Sequence, residues 1–140
     1  MPEKQSYPTS QFTFLGYHVR RVVLDIPEAL DGPVGKLNIR INVAPKYAEA
    51  VTRQAEVAVE VTVSNTAGKL SLTAVVVGRF KAPDDTDLVQ FHALCERNAP
   101  AVLYPFVRAL IATFTAQAGV PTILLPTVNF ARKPLKKQAE

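Results

Sequence analysis

Cysteine and histidine are scarce in this sequence: its 140 residues include one cysteine, Cys95, and two histidines. A single cysteine excludes an internal disulfide and fits a reducing compartment. His92 lies three residues before Cys95, and with His18 as a distant third candidate a zinc site is still short of a ligand. The chain also lacks a glycine-rich phosphate loop, a G-x-S-x-G elbow and an H-E-x-x-H motif. We therefore expect no catalytic residues, no metal and no cofactor.

Long uninterrupted hydrophobic runs are missing as well. The first residues, MPEKQSYPTSQ, have no long apolar region after their charges, so we expect no secretory signal and a cytoplasmic protein. A membrane span needs about 20 apolar residues in sequence. Pro100, Pro105, Arg108 and Gln117 interrupt the most apolar stretch of the chain. We therefore expect no insertion into a membrane.

Charge is present but modest. Sixteen Lys and Arg residues against twelve Asp and Glu residues give a net charge of +4, which permits weak attraction to nucleic acid or to acidic partners. The basic residues are scattered except for Arg132, Lys133, Lys136 and Lys137, and they do not interleave with aromatic residues in a stacking pattern. A solvated basic tail is the simpler interpretation, and it disfavours nucleic acid as a partner.

Four segments alternate apolar and polar residues with period two, which is typical of strands. The first begins at Phe12, and its apolar positions change parity at Arg20–Arg21, which predicts a β-bulge there. A Pro- and Gly-rich crossover, Pro27–Gly35, separates it from the second segment, and Pro45–Gln54 forms a longer connection. Asn65–Gly68 predicts the turn of a hairpin between the last two. The second, third and fourth strands have their apolar positions within Leu37–Val43, Val57–Val63 and Leu70–Val76.

One charge, Arg108, interrupts residues 98–131. Apolar residues at three- and four-residue spacing predict a helix that is apolar on nearly all sides, and such a helix needs neighbours on more than one side. We expect one neighbour to be a second copy of the chain. Gly119 followed by Pro121 predicts the end of this helix, and Pro105 predicts a kink or a second helix start. Asp87 and Gln90 predict the cap of a short preceding helix that reaches about Arg97.

Three stretches resemble the signature of the SecB family of export chaperones: residues 98–108, NAPAVLYPFVR; residues 119–121, GVP; and residues 125–130, LPTVNF. The family pattern has an aromatic residue between the Gly and the Pro of the second stretch, where this chain has Val120. The resemblance extends from about Phe12 to Phe130. It implies an α+β fold, a four-stranded antiparallel sheet with a long helix packed on one face. It also implies oligomerisation through the helix and the sheet edge. We expect a single domain over residues 1–140, with flexible tails at 1–10 and 131–140.

The resemblance further implies an ATP-independent holdase that binds unfolded client polypeptides for protein export. Members of the family are homotetramers, assembled as dimers of dimers. By analogy, a client would lie in a groove between the crossover and the segment after the long helix, burying large side chains worth about 1.5–3 kcal/mol each. The implied groove residues are Leu30, Val34, Leu37, Phe80, Val120, Ile123 and Leu125. The implied subunit interface consists of Leu103, Tyr104, Phe106, Leu110, Ile111 and Phe114.

The chain also departs from the family. SecB proper is strongly acidic and uses that charge to dock the translocase motor SecA, whereas this chain is basic and carries Arg21 where the first strand of the family tends to be acidic. This difference disfavours SecA as a partner and allows a chaperone dedicated to one client, such as an antitoxin. A third hypothesis is a small nucleic-acid-binding oligomer that uses Arg20, Arg21, Arg40 and the C-terminal lysines. Pro134 and the polar tail predict that the second helix of the family is missing or frayed.

Overall fold

A single antiparallel sheet forms the centre of the protein. The computed structural model describes residues 11–49 and 51–131, and within them the strands are β1 (Thr13–Asp25), β2 (Leu37–Tyr47), β3 (Gln54–Asn65) and β4 (Ser71–Lys81). The sheet order is β1-β4-β3-β2. The crossover, residues 26–36, therefore connects the two edge strands. The predicted α+β fold with a four-stranded antiparallel sheet is confirmed, while the predicted tails and the frayed second helix lie, apart from Ala131, outside the described residues.

The two central strands bury one face completely. Val57, Val59, Val61 and Val63 of β3 are fully buried. Leu72, Ala74 and Val76 of β4 lie beside them on the same face, as the pairing register requires. Alternate residues of both strands point to the other face, where all except the buried Val77 are polar or only partly buried. The period-two pattern in the sequence thus identified the core face correctly.

β1 contains the predicted bulge. Val19 pairs with Val76 and Arg21 pairs with Val75, so Arg20 is the extra residue. The inserted residue reverses the parity of the strand, and the apolar side chains on both sides of it therefore stay on one face of the sheet.

A second bulge in β1 was not predicted. Phe14 pairs with Phe80, and Gly16 pairs with Arg79, so Leu15 is inserted between them. Gly16 has a φ of 131°, a conformation that glycine adopts without strain. Because of this bulge Phe14, and not Leu15, faces the core, where its ring stacks 5.2 Å from that of Phe80.

The connection predicted for Pro45–Gln54 is shorter than expected. β2 continues through Pro45, which pairs with Val57, and ends at Tyr47. An edge strand tolerates this proline because the missing N–H can lie on the side that has no partner strand. The loop between β2 and β3 is thus residues 48–53.

Three consecutive helical segments cover one face of the sheet: α1 (Leu88–Ala93), a π-helical turn (Leu94–Asn98) and α2 (Ala99–Gln117). The predicted cap is confirmed, because the Asp87 carboxylate accepts the Gln90 N–H at 3.2 Å. Of the two alternatives predicted at Pro105, a second helix start is wrong, since α2 runs through this residue, and a kink stays a prediction. The irregularity lies instead in the π-helical turn before Pro100, which occupies the first turn of α2.

α2 packs closely on β4. Leu103, Val107 and Ile111 are fully buried against the sheet. Gly78 permits this approach, because a Cβ atom there would lie 2.5 Å from a Leu103 methyl carbon. At the end of α2, Gly119 has a φ of 79°, as expected for the residue that terminates a helix. Residues 88–117 are long and apolar enough to span a membrane, but core helices of soluble proteins share these properties.

Candidate functional site

α2 presents an apolar stripe beside the edge strand β1. The Tyr17 ring stacks on the Phe106 ring at a centroid distance of 4.3 Å, and Phe14 lies 6.1 Å from the same ring. These side chains nevertheless stay partly exposed, because no further element of the described chain covers them. We call this surface the edge patch, consisting of Tyr17, Val19, Phe106, Leu110 and Phe114.

The segment after α2, residues 119–131, has no regular secondary structure and is held by two side chains of the helix. The Thr115 hydroxyl accepts the Ile123 N–H at 2.9 Å and donates to the Ile111 carbonyl at 2.8 Å. The Tyr104 hydroxyl donates to the Pro126 carbonyl at 2.5 Å. These bonds satisfy backbone groups that no strand or helix would otherwise pair, so they fix the position of the segment.

A groove separates this segment from α2. It has a volume of about 430 Å³, and Arg108 is the only charged residue among those that line it. The Tyr104 ring lies at its base and makes an edge contact with the Phe130 ring at 5.5 Å. Burial raises the pKa of the Tyr104 hydroxyl, while the positive charge of Arg108 opposes the shift. We call this the C-terminal groove, lined by Ala101, Tyr104, Pro105, Arg108, Ala109, Ala112, Leu124, Thr127, Val128 and Phe130.

The C-terminal groove can accept apolar side chains of an extended peptide. Its walls are mainly alanine, proline, valine and phenylalanine, so burial of a client side chain there would be driven by removal of apolar surface from water. Leu124 stands at the rim with 70% of its surface exposed. Arg108 can offer a cation to a client carboxylate or backbone carbonyl.

The crossover approaches the same end of the sheet as the end of α2. Asn65 holds it, because its side-chain amide donates to the Val34 carbonyl at 3.0 Å while its side-chain oxygen accepts the Lys69 and Leu70 N–H groups. Four of the predicted groove residues are half-buried here and could contact a ligand: Leu30, Val34, Leu37 and Val120.

The other three predicted groove residues, Phe80, Ile123 and Leu125, are buried in the core. In residues 123–125 the exposure alternates, so Ile123 and Leu125 point inward and Leu124 points outward. Phe80 is covered by the rings of Phe12 and Phe14. Ile123 and Leu125 therefore lie behind the surface of the C-terminal segment, whereas Phe80 lies at the end of β4 far from the crossover. A direct contact with a client would require the core to open.

The predicted subunit interface divides in the same way. Leu103 and Ile111 face the sheet, and Tyr104 faces the C-terminal segment, so all three are buried within the protomer. Phe106, Leu110 and Phe114 lie on the edge patch, where Phe106 and Phe114 are exposed and Leu110 is half-buried. Their role in assembly stays a prediction.

Sequence reasoning did not assign Arg108, Leu124 or Phe130 to a groove. A signal was available in the run of three apolar residues from Ile123 to Leu125, because in an extended chain the middle residue points away from its two neighbours. The contact of this segment with the outer side of α2 could not be inferred, because it depends on Tyr104 and Thr115 reaching backbone groups far along the chain.

His92 and Cys95 belong to a packed cluster. The His92 ring stacks on Tyr47 at 4.2 Å, and Cys95 is fully buried. Burial, with a smaller contribution from Glu96, raises the pKa of the Cys95 thiol to about 11. Among residues 11–49 and 51–131, no three His, Cys, Asp or Glu side chains come together to hold a metal.

The family described as preprotein translocase subunit SecB matches residues 5–139 of the chain. The chain belongs to the SecB family. This confirms the resemblance drawn from residues 98–130 and accounts for the fold.

Relatives of this SecB-family chain come from several lineages. Protein-export protein SecB of Anaplasma phagocytophilum (strain HZ) is 30% identical over 118 residues, which is 75% of either chain. Uncharacterized protein MJ0357 of Methanocaldococcus jannaschii is 27% identical over 118 residues, covering 81% of this chain and 74% of that protein.

The fold also matches a solved structure. The Mycobacterium tuberculosis Rv1957 SecB-like chaperone, in complex with a ChAD peptide from the Rv1956 HigA1 antitoxin, superposes with a TM-score of 0.68 at 16% identity. The match covers 89% of this chain and 93% of that chain. At this identity the likeness shows the shared fold.

Proposed function

We propose that this protein is an ATP-independent chaperone that holds unfolded polypeptides, in the manner of the family to which it belongs. The observation that carries the proposal is the C-terminal groove, which is apolar, open to solvent and closed on one side by a pinned extended segment. An extended client would bury single large side chains there, with little demand on its sequence. The function needs no catalysis, no metal and no cofactor, and it suits a protein of the cytoplasm.

Assembly is part of the proposal. The edge patch exposes aromatic and aliphatic side chains on a strand that has one unpaired edge, and both features favour a neighbouring copy. A dimer of dimers would bury the patch and leave the C-terminal groove to clients. SecA is not required by this arrangement, and the net charge of +4 disfavours it.

A second candidate is a chaperone dedicated to one client. The structural neighbour named above was solved with a peptide from an antitoxin, which favours a related role here. The two candidates predict different breadth of client choice. A general holdase should delay aggregation of several unrelated denatured proteins, whereas a dedicated chaperone should protect only its own client.

The test is light scattering during refolding of several chemically denatured proteins, with and without this protein and without ATP. The mass of the chaperone is followed by size-exclusion chromatography with multi-angle detection. Suppressed aggregation by an assembled protein is the expected result. An assembled protein that suppresses aggregation of none of the clients would contradict the holdase function.

Two matched variants locate the site. Leu124→Glu places a charge at the rim of the C-terminal groove and is expected to abolish most of the suppression, because a client would have to bury that charge. Val51→Glu makes the same kind of change in the β2–β3 loop, where the side chain is 76% exposed and does not line the groove. Equal suppression of aggregation by the two variants would show that the C-terminal groove is not the site that binds clients.

A further inference from the structure

The C-terminal groove carries a single charge, and that charge has no counterion. Arg108 is the only charged residue between Arg97 and Arg132 in the sequence, and it lines the groove among mainly apolar side chains. No carboxylate of residues 11–49 and 51–131 forms an ion pair with it. The groove therefore presents an unpaired cation beside apolar surface.

This cation lies close to the base of the groove. Arg108 follows Tyr104 by about one turn of α2, so the two side chains leave the same side of the helix. The positive charge of Arg108 acts on the Tyr104 hydroxyl, where it opposes the rise in pKa that burial causes. The same hydroxyl donates to the Pro126 carbonyl of the other wall. A side chain that enters the groove beside Tyr104 thus comes close to the guanidinium.

The unpaired charge makes the groove selective among apolar segments. A purely apolar client would cover the guanidinium and remove its hydration without supplying an anionic partner, which is unfavourable. A lysine or arginine of the client would add repulsion between like charges. A carboxylate accepts two parallel N–H bonds from a guanidinium, an interaction stronger than the one with a neutral carbonyl of the client backbone. The charge therefore discriminates among clients that the apolar walls alone would bind alike.

Two other occupants fit this charge less well. In a two-fold contact through the groove, the same surface of two copies would meet, and α2 contributes an arginine but no carboxylate to it. Residues 132–140 of the chain itself include four Lys or Arg residues and one Glu. Their net charge has the sign of Arg108, so charge complementarity favours a client over either occupant.

We propose that the C-terminal groove selects client segments in which an Asp or Glu residue stands among large apolar residues. The client carboxylate pairs with Arg108, and a neighbouring apolar side chain enters the groove against Tyr104 and Leu124. This proposal rests on the holdase function proposed above and specifies the clients of the same site. Because one carboxylate is enough, the groove still serves many sequences.

Fluorescence anisotropy of three labelled peptides with the full chain measures this preference. The peptides are Gly-Ser-Leu-Phe-X-Leu-Val-Gly-Ser with blocked ends, where X is Glu, Gln or Lys. The Gln peptide keeps the shape and the neutral acceptors of the Glu peptide but lacks its charge. The Glu peptide is expected to bind about three- to tenfold more tightly than the Gln peptide, and the Lys peptide is expected to bind most weakly.

Substitutions of Arg108 assign the preference to this side chain. Arg108→Glu should reverse the order, so that the Lys peptide binds most tightly, while Arg108→Lys should retain the preference for Glu. Arg108→Gln is a milder change and should bring the Glu and Gln peptides to equal affinity. The control, Arg40→Glu, makes the same change in net charge at an exposed residue of β2 that points away from the core face. It should leave the order of the peptides unchanged.

Equal binding of the Glu and Gln peptides to the unmodified chain would overturn this inference and leave the holdase function standing. Binding of none of the three would overturn it too, and would count against the holdase function only if suppression of aggregation were also absent. If Arg40→Glu removed the preference as strongly as Arg108→Glu, the attraction would be to net charge alone and the assignment would be wrong. Peptide binding that weakens as the assembled mass rises with protein concentration would show that a second copy occupies the groove, which would also overturn the inference.

Discussion

The Tyr104 hydroxyl is one of two helix hydroxyls that hold the segment forming the other wall of the C-terminal groove. The residue lies in the stretch that suggested the family, and sequence reasoning placed it in a subunit interface. The structure gives it an internal partner, the Pro126 carbonyl, at 2.5 Å. The motif identified an important position, but the contact could not be derived, because it depends on an irregular segment returning along α2.

Tyr104→Phe should lower the free energy of unfolding by about 1 kcal/mol, since the Pro126 carbonyl loses its hydrogen-bond partner. It should also increase hydrogen exchange and proteolytic cleavage in residues 119–131. Tyr47→Phe is the matched control. The Tyr47 hydroxyl is buried without a hydrogen-bond partner in the described structure, so its removal should be neutral or stabilising. Equal destabilisation by the two variants would argue against the role assigned to Tyr104.

Because of Tyr47 and Cys95, the free energy of unfolding should fall as the pH becomes alkaline. Burial raises the pKa of Tyr47 from 10.0 to about 12 and that of Cys95 from 9.0 to about 11. The unfolded chain therefore releases these protons at lower pH than the folded protein. The stabilisation is complete below about pH 9 and is lost as pH rises from about 9 to about 12.

Urea denaturation at a series of pH values measures this effect. The midpoint should fall through the stated range in the unmodified protein, and less steeply in Cys95→Ala, which lacks one of the groups with a raised pKa. The thiol should also stay unreactive towards a disulfide reagent in the folded protein near neutral pH, because it is both buried and protonated. A thiol that reacts rapidly without unfolding would contradict this description of the cluster.

At the scale of the elements, local sequence signals predicted most of the secondary structure. The alternation in β3 and β4, the bulge at Arg20 and the cap at Asp87 follow from local rules and were confirmed. The exceptions involve residues whose effect depends on position in the sheet or helix. Pro45 is accommodated because β2 is an edge strand, which only the strand order reveals.

Pro105 is the other exception, and it yields a prediction. This proline lies inside α2 and removes one intrahelical hydrogen bond, yet the helix continues. Pro105→Ala should raise the free energy of unfolding by about 1–3 kcal/mol, because it restores the donor and relieves the clash with the preceding turn. Pro100→Ala is the control, since proline suits the first turn of a helix and this ring is buried. It should destabilise, and thermal unfolding of both variants would reveal the opposite signs.

At the scale of the whole molecule, one apolar surface of α2 is left without a covering element from residues 11–49 and 51–131. One side of α2 packs on the sheet, and a second side lines the C-terminal groove. The third side, which carries the edge patch beside β1, stays partly exposed. The sequence predicted that the helix needs neighbours on more than one side. It could not say which residues turn towards each neighbour, because that division depends on the angle at which α2 crosses the strands.

Leu110→Asp tests whether a second copy covers this surface. Leu110 is half-buried within the edge patch, so an aspartate there would be tolerated at the surface of a monomer but strongly unfavourable in an apolar interface. We expect the assembled mass in multi-angle light scattering to fall towards that of the protomer. Val89→Asp, at an α1 side chain that is 76% exposed, should leave the mass unchanged. A Leu110→Asp protein with unchanged mass and unchanged thermal stability would mean that the edge patch is not the surface through which copies associate.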